Sequence, residues 1–184
     1  MNNKKIDFER KNLWTLYSKE ERKNAFRFAE DYSDFLKNSK TEREAFNTIK
    51  ELAKKEGFVT FDQADKNSDK LIFENRKRAI ALLRIGKKDI EEGFKLIGSH
   101  IDAPRLDLKQ RPLMEDANIA LFKTHYYGGI KKYQWLSRPL ALHGVIVKEN
   151  GEEVEVSIGE KEDDPVFVIP DLLPHLAKKV QYSK

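Results

Sequence analysis

Histidine occurs four times in the sequence, at positions 100, 125, 143 and 175, and cysteine does not occur at all. A thiolate metal site and a disulfide scaffold are therefore both excluded, and any bound metal must take imidazole and carboxylate ligands. The most suggestive spacing is His100-Ile101-Asp102. Where the backbone is extended, residues two apart leave the same face, so the imidazole and the carboxylate project together. That arrangement suits a metal-bound imidazole whose other ring nitrogen is held by a carboxylate. It equally suits a strand end closed by a hydrogen bond, and so short a motif does not by itself decide between the two. Pro104 pushes Ala103 towards extended geometry and ends any helical option at this point.

The elements that must position the pair are legible upstream. Phe94 to Ser99 is mostly apolar and bounded by glycine, which predicts a buried strand with His100 at its carboxyl end. Open α/β sheets bind their ligands there. Two helices precede it. Ser18-Lys19-Glu20-Glu21 is a capping box, and Ala25, Phe28, Ala29, Tyr32, Phe35 and Leu36 recur at helical spacing, predicting a core-facing stripe on a helix that ends near Asn38. Trp14 is placed to cover its first turn. Thr41-Glu42-Arg43-Glu44 is a second capping box; Ala45, Ile49, Leu52 and Ala53 continue one face, and Gly57 stops the helix. Phe58 to Phe61, Leu71 to Phe73 and Ala79 to Ile85 read as strands. The intervening Asp62 to Lys70 reads as a polar loop. The basic cluster Arg76-Lys77-Arg78 reads as a solvated turn rather than an anion site.

After Pro104 the character changes. Arg105 to Lys109 alternates as a half-exposed strand, Arg111 to Asn118 reads as irregular, and Leu140 to Val147 is a strand. Asn150-Gly151 signals a hairpin turn before the alternating Glu153 to Ile158. Pro165 to Pro170 is extended, and Asp171 opens a possible helix. The predicted organisation is thus α/β for residues 1–104 and β-rich for residues 105–184.

Gly98-Ser99-His100-Ile101-Asp102-Ala103-Pro104-Arg105-Leu106 resembles the His-x-Asp-x-Pro segment of the aspartyl aminopeptidase family of co-catalytic zinc peptidases. Tyr127-Gly128-Gly129-Ile130, with Trp135 and Arg138-Pro139-Leu140, is similar to a second segment of that family, with a small difference in the glycine run. Ile169-Pro170-Asp171-Leu172-Leu173-Pro174-His175-Leu176 resembles a third. The resemblance spans nearly the whole chain and less than half of the family's usual length.

It implies the first part of an α/β zinc-peptidase catalytic domain, followed by part of an inserted β-rich dimerisation domain. It further implies that His100 binds one of two zinc ions, that Asp102 orients its imidazole without touching metal, and that His175 reaches the active site of a neighbouring subunit. The activity implied is release of N-terminal residues, acidic ones by family preference, from peptide substrates by a homo-oligomer built from dimers. The two zinc ions would polarise the scissile carbonyl and activate a bridging water. The family's bridging carboxylate, remaining ligands and general-base glutamate have no counterpart here: Glu91-Glu92 reads as solvated, Asp163-Asp164 as an acidic turn before Pro165, and His125 and His143 as β-domain residues. This N-terminal portion is therefore expected to be inactive alone.

Composition narrows the alternatives. The 184 residues are 39% hydrophobic and 36% charged, and eleven Phe, six Tyr and two Trp argue for a folded chain. A net charge of +4, with both signs interspersed, gives little support to nucleic-acid binding. The first residues contain no apolar run of signal-peptide length and no stretch is long enough to span a membrane, so a cytoplasmic protein is the simplest expectation. A non-catalytic binding or assembly module is the rival reading.

Overall fold

The computed structural model describes residues 10–178. Both predicted capping boxes form. After a single helical turn, α1 (Leu13–Leu16), the Ser18 hydroxyl accepts from the Glu21 amide at 3.2 Å, while the Glu21 carboxylate accepts from the Ser18 amide at 2.7 Å, opening α2 (Lys19–Lys37). Thr41 and Glu44 make the same reciprocal pair at 3.2 and 2.8 Å to open α3 (Glu42–Lys55). Each box satisfies two amides that the helix itself leaves without partners. Gly57, at φ +83°, turns the chain out of α3.

Strands β1 (Val59–Thr60), β2 (Lys70–Asn75) and β3 (Ala79–Arg84) form one sheet in that order, β1 parallel and β3 antiparallel to β2. The compact part of the molecule lies between this sheet and α3. Ala45, Phe46 and Ala53 are buried from the helix, and Leu71 and Ile72 from β2. Arg76 and Lys77 sit at φ +52° and +53° in the β2–β3 turn, and Lys77 pairs with Glu153 at 2.7 Å, so part of the basic cluster is engaged within the chain.

Two expectations are corrected. The apolar stripe of α2 is not buried among the described residues: Phe28, Tyr32 and Leu36 remain exposed, although Trp14 does pack edge-on against Phe26 on the first turns of the helix, with ring centres 5.6 Å apart. The predicted buried strand Phe94–Ser99 joins no ladder, and Phe94, Leu96 and Ile97 are 75, 85 and 95% exposed. The physical reason is the absence of neighbours. A strand buried on both faces needs hydrogen-bonding edges and covering layers, and among the described residues none flanks this stretch.

The second half is made of two antiparallel hairpins. β4 (Arg105–Asp116) pairs with β5 (Ile119–Tyr127), with a register shift between Leu108 and Leu113. The segment read as irregular, residues 111–118, is thus largely strand: Pro112 and the left-handed Arg111 fall in the shift, where a missing amide is tolerated. β6 (Leu142–Val147) pairs with β7 (Glu153–Ile158) around the expected turn, with Gly151 at φ +84°. Phe167 exchanges backbone hydrogen bonds with Leu140 at 2.8 and 3.0 Å, and a last helical turn, α4 (Pro174–Ala177), follows three residues later than Asp171 suggested.

Side chains from the two halves meet through ion pairs. Arg105 reaches Glu42, His143 reaches Glu44, Glu153 takes Arg43 and Lys77, and Lys40 pairs with Glu160. The accessible surface, 17033 Å² for 21.5 kDa, is nearly twice the roughly 9,000 Å² of a compact protein of this mass. No helix among the described residues is long and apolar enough to cross a membrane.

Candidate functional site

His100 and Asp102 come together as their spacing suggested. The imidazole Nδ1 lies 3.0 Å from Asp102 Oδ1 and 3.1 Å from the Asp102 carbonyl oxygen. Both partners are acceptors, so in the neutral ring Nδ1 carries the proton and Nε2 keeps its lone pair. Nε2 has no hydrogen-bond partner among the described residues, and the side chain is 81% exposed. A ring fixed in this tautomer, with its other nitrogen open, is suited to bind a metal.

The carboxylate is held from its second oxygen as well. The Tyr127 hydroxyl, at the end of β5, donates to Asp102 Oδ2 at 3.2 Å. Desolvation alone would raise the Asp102 carboxyl; the hydrogen bonds from Tyr127, its own backbone and His100 outweigh it and hold the group below its ordinary value. The same bond, with the negative charge beside it, pushes the Tyr127 phenol up. Tyr127 stands opposite Arg105 in the β4–β5 register, and the guanidinium lies 4.3 Å from its ring centre. Arg105 in turn donates to Asp107 at 2.8 Å, Glu42 at 3.0 Å and the Ala103 carbonyl at 3.2 Å. Desolvation opposes its charge, and the Asp107 and Glu42 carboxylates more than restore it. Gly128, at φ +73°, lets the chain turn against Pro104, where an added Cβ would already sit 3.5 Å from the proline.

The remaining candidates stay apart. His175 lies exposed on α4 and makes no hydrogen bond among the described residues. His143 is clamped, Nδ1 to Glu44 at 2.7 Å and Nε2 to Glu160 at 2.8 Å, so both of its nitrogens are committed to structure. Among the described residues, the His125 ring hydrogen-bonds only to the Tyr126 carbonyl, at 3.3 Å. Glu92, exposed, pairs with Lys88, in keeping with the solvated reading of Glu91-Glu92, whereas Asp164 is half-buried and closes its turn by accepting from the amides of Gly159, Glu160 and Lys161. Among the described residues, no three His, Asp or Glu side chains gather in a way that could hold a metal ion. The donor set thus fits one ligand of a zinc centre with its orienting carboxylate. Sequence alone gives Tyr127, Arg105 and Glu42 no part in the site: Tyr127 and Arg105 lie in segments that resemble the family and Glu42 in a capping box, but the contacts that join them are long-range and leave no local signal.

The family model described as "Aminopeptidase I zinc metalloprotease (M18)" matches residues 35–184. A curated relative from Borrelia garinii subsp. bavariensis, "Probable M18 family aminopeptidase 1", is 49% identical over 179 residues, 96% of this chain and 39% of its own length. The crystal structure of an M18-family aminopeptidase from Thermotoga maritima superposes with a TM-score of 0.84 at 47% identity, over 97% of this chain and 39% of that one. That of aminopeptidase I from Borrelia burgdorferi gives 0.82 at 46% identity, over 89% and 41%. The chain therefore spans about two fifths of the length of the proteins it resembles.

Proposed function

The chain belongs to the M18 family of zinc metallopeptidases, and from that premise we propose that it supplies the N-terminal portion of a zinc aminopeptidase that releases N-terminal residues, acidic ones preferentially, from peptides. The observation that carries this reading is the His100–Asp102 pair, with Nδ1 held at 3.0 Å and Nε2 open. His100 is the metal ligand through Nε2. Asp102 keeps the proton on Nδ1 and fixes the plane of the ring. Zinc, two ions in the complete site, supplies Lewis acidity toward the scissile carbonyl and the attacking water.

Residues 1–104 are read as part of the catalytic domain and residues 105–184 as part of the dimerisation domain, within a cytoplasmic homo-oligomer built from dimers. His175, exposed on α4, would enter a neighbouring subunit's site and donate a hydrogen bond to the developing oxyanion. The described residues offer one ligand where catalytic zinc sites use three, so the chain is inactive by itself on this reading. The experiment is release of the first residue from peptides by the complete protein, before and after chelation. Activity should vanish with zinc and return with it, and be faster for Asp or Glu at the first position. Release that survives thorough chelation overturns the mechanism; equal rates for all first residues overturn the preference.

The rival reading, an assembly module, draws support from the exposed hairpin faces, among them Leu113, Ile119 and Leu121. It predicts self-association without any zinc-dependent turnover in the complete protein.

A further inference from the structure

We propose that Tyr127 is a positioning residue of the zinc site, reaching from the β-rich half to pin Asp102 Oδ2 so that Oδ1 keeps His100 in the tautomer that presents Nε2. This inference depends on the proposed zinc-ligand role of His100. A carboxylate held at one oxygen can swing about its side-chain bonds; one held at both cannot. Asp102 needs the second anchor because its side chain is 38% exposed and, among the described residues, otherwise takes only His100 and its own backbone as partners.

Tyr127 can serve as that anchor because it is itself fixed. It ends β5 in register with Arg105, and its ring lies against the guanidinium. That guanidinium is tied to Asp107 on its own strand and to Glu42 at the first turn of α3. Gly128 then folds the chain against Pro104, two residues past Asp102. A continuous set of contacts therefore runs from α3 through Arg105 and Tyr127 to the imidazole. The ligand's geometry is set by both halves of the chain, and the first 104 residues do not hold it alone.

The test is the zinc dissociation constant of the complete protein, measured by competition with a chelator, for wild type, H100A, D102A, Y127F and the double variant D102A/Y127F. Tyr127→Phe keeps the ring over Arg105, so the melting temperature of the metal-free protein should not change. Zinc binding should weaken about 3- to 10-fold, the size of one hydrogen bond lost beside the ligand, against about 10- to 100-fold for Asp102→Ala. In the D102A background, Y127F should add nothing, because the hydroxyl acts only through that carboxylate. If Y127F leaves affinity unchanged, or weakens it equally in both backgrounds while H100A abolishes tight binding, the positioning role is overturned and the zinc reading stands. If H100A itself leaves zinc binding intact, the zinc reading falls and this inference falls with it.

Discussion

Ile97→Ala should be nearly silent in one context and strongly destabilising in another. In the 184-residue chain the Ile97 side chain is 95% exposed and its neighbour Leu96 is 85% exposed. Removing a side chain already in water changes stability by no more than about 0.5 kcal/mol. The pattern Phe94-Lys95-Leu96-Ile97-Gly98-Ser99 nevertheless has the composition of a strand covered on both faces, and this chain spans only 39% of the length of its relatives. In the complete protein, with that stretch covered, the same substitution leaves a cavity and should cost about 2–5 kcal/mol. With a urea dependence near the upper end of the small-protein range, about 3 kcal/mol per molar, the midpoint should fall by about 0.7–1.7 M. Urea unfolding of both proteins, with and without the substitution, decides it. A negligible shift in the complete protein would refute the view that Phe94–Ser99 is a strand awaiting its layer. A large shift in the chain alone would refute the exposure from which the magnitude follows.

Thr41→Ala removes the cap that opens α3 and should destabilise that helix by about 1 kcal/mol, read as a lower melting temperature by circular dichroism. Glu160 is held below its ordinary 4.5, first by Lys40 and then by His143. A depressed carboxylate contributes stability that is fully present above the ordinary value and is lost as pH falls through the lower folded one. The link between Glu160, Lys40 and His143 should therefore survive to below pH 4.5, followed by the amide resonances of β6; loss of that link in step with an ordinary glutamate would contradict it. Mixing inactive full-length His100→Ala and His175→Ala proteins should restore part of the activity once subunits exchange, because one mixed site has both groups intact. Demonstrated exchange without recovered activity would return His175 to a surface role.

Local signals were legible where their causes are local. Both capping boxes, the Gly57 stop and the Gly151 turn depend on residues within a few positions of one another, and all four form. His100 and Asp102 likewise needed only two-residue geometry to meet. Burial was misread for the opposite reason. Periodicity states which face a helix or strand must cover but not whether the covering layer lies in the same chain, so α2 and Phe94–Ser99 kept their patterns and lost their neighbours. Residues 111–118 read as irregular in sequence, and most of them are strand because the shift in the β4–β5 ladder accommodates Pro112. Tyr127, Arg105 and Glu42 converge from three elements, and only the folded hairpin brings them to Asp102.

On the proposed reading, His100 is one ligand of a zinc centre that the described residues do not complete. Zinc titration of the 184-residue chain beside the complete protein tests this most directly. Tight zinc binding that His100→Ala abolishes is predicted for the complete protein, and no tight site for the chain alone. Tight binding by the isolated chain, or binding by the complete protein that is indifferent to His100→Ala, would contradict it.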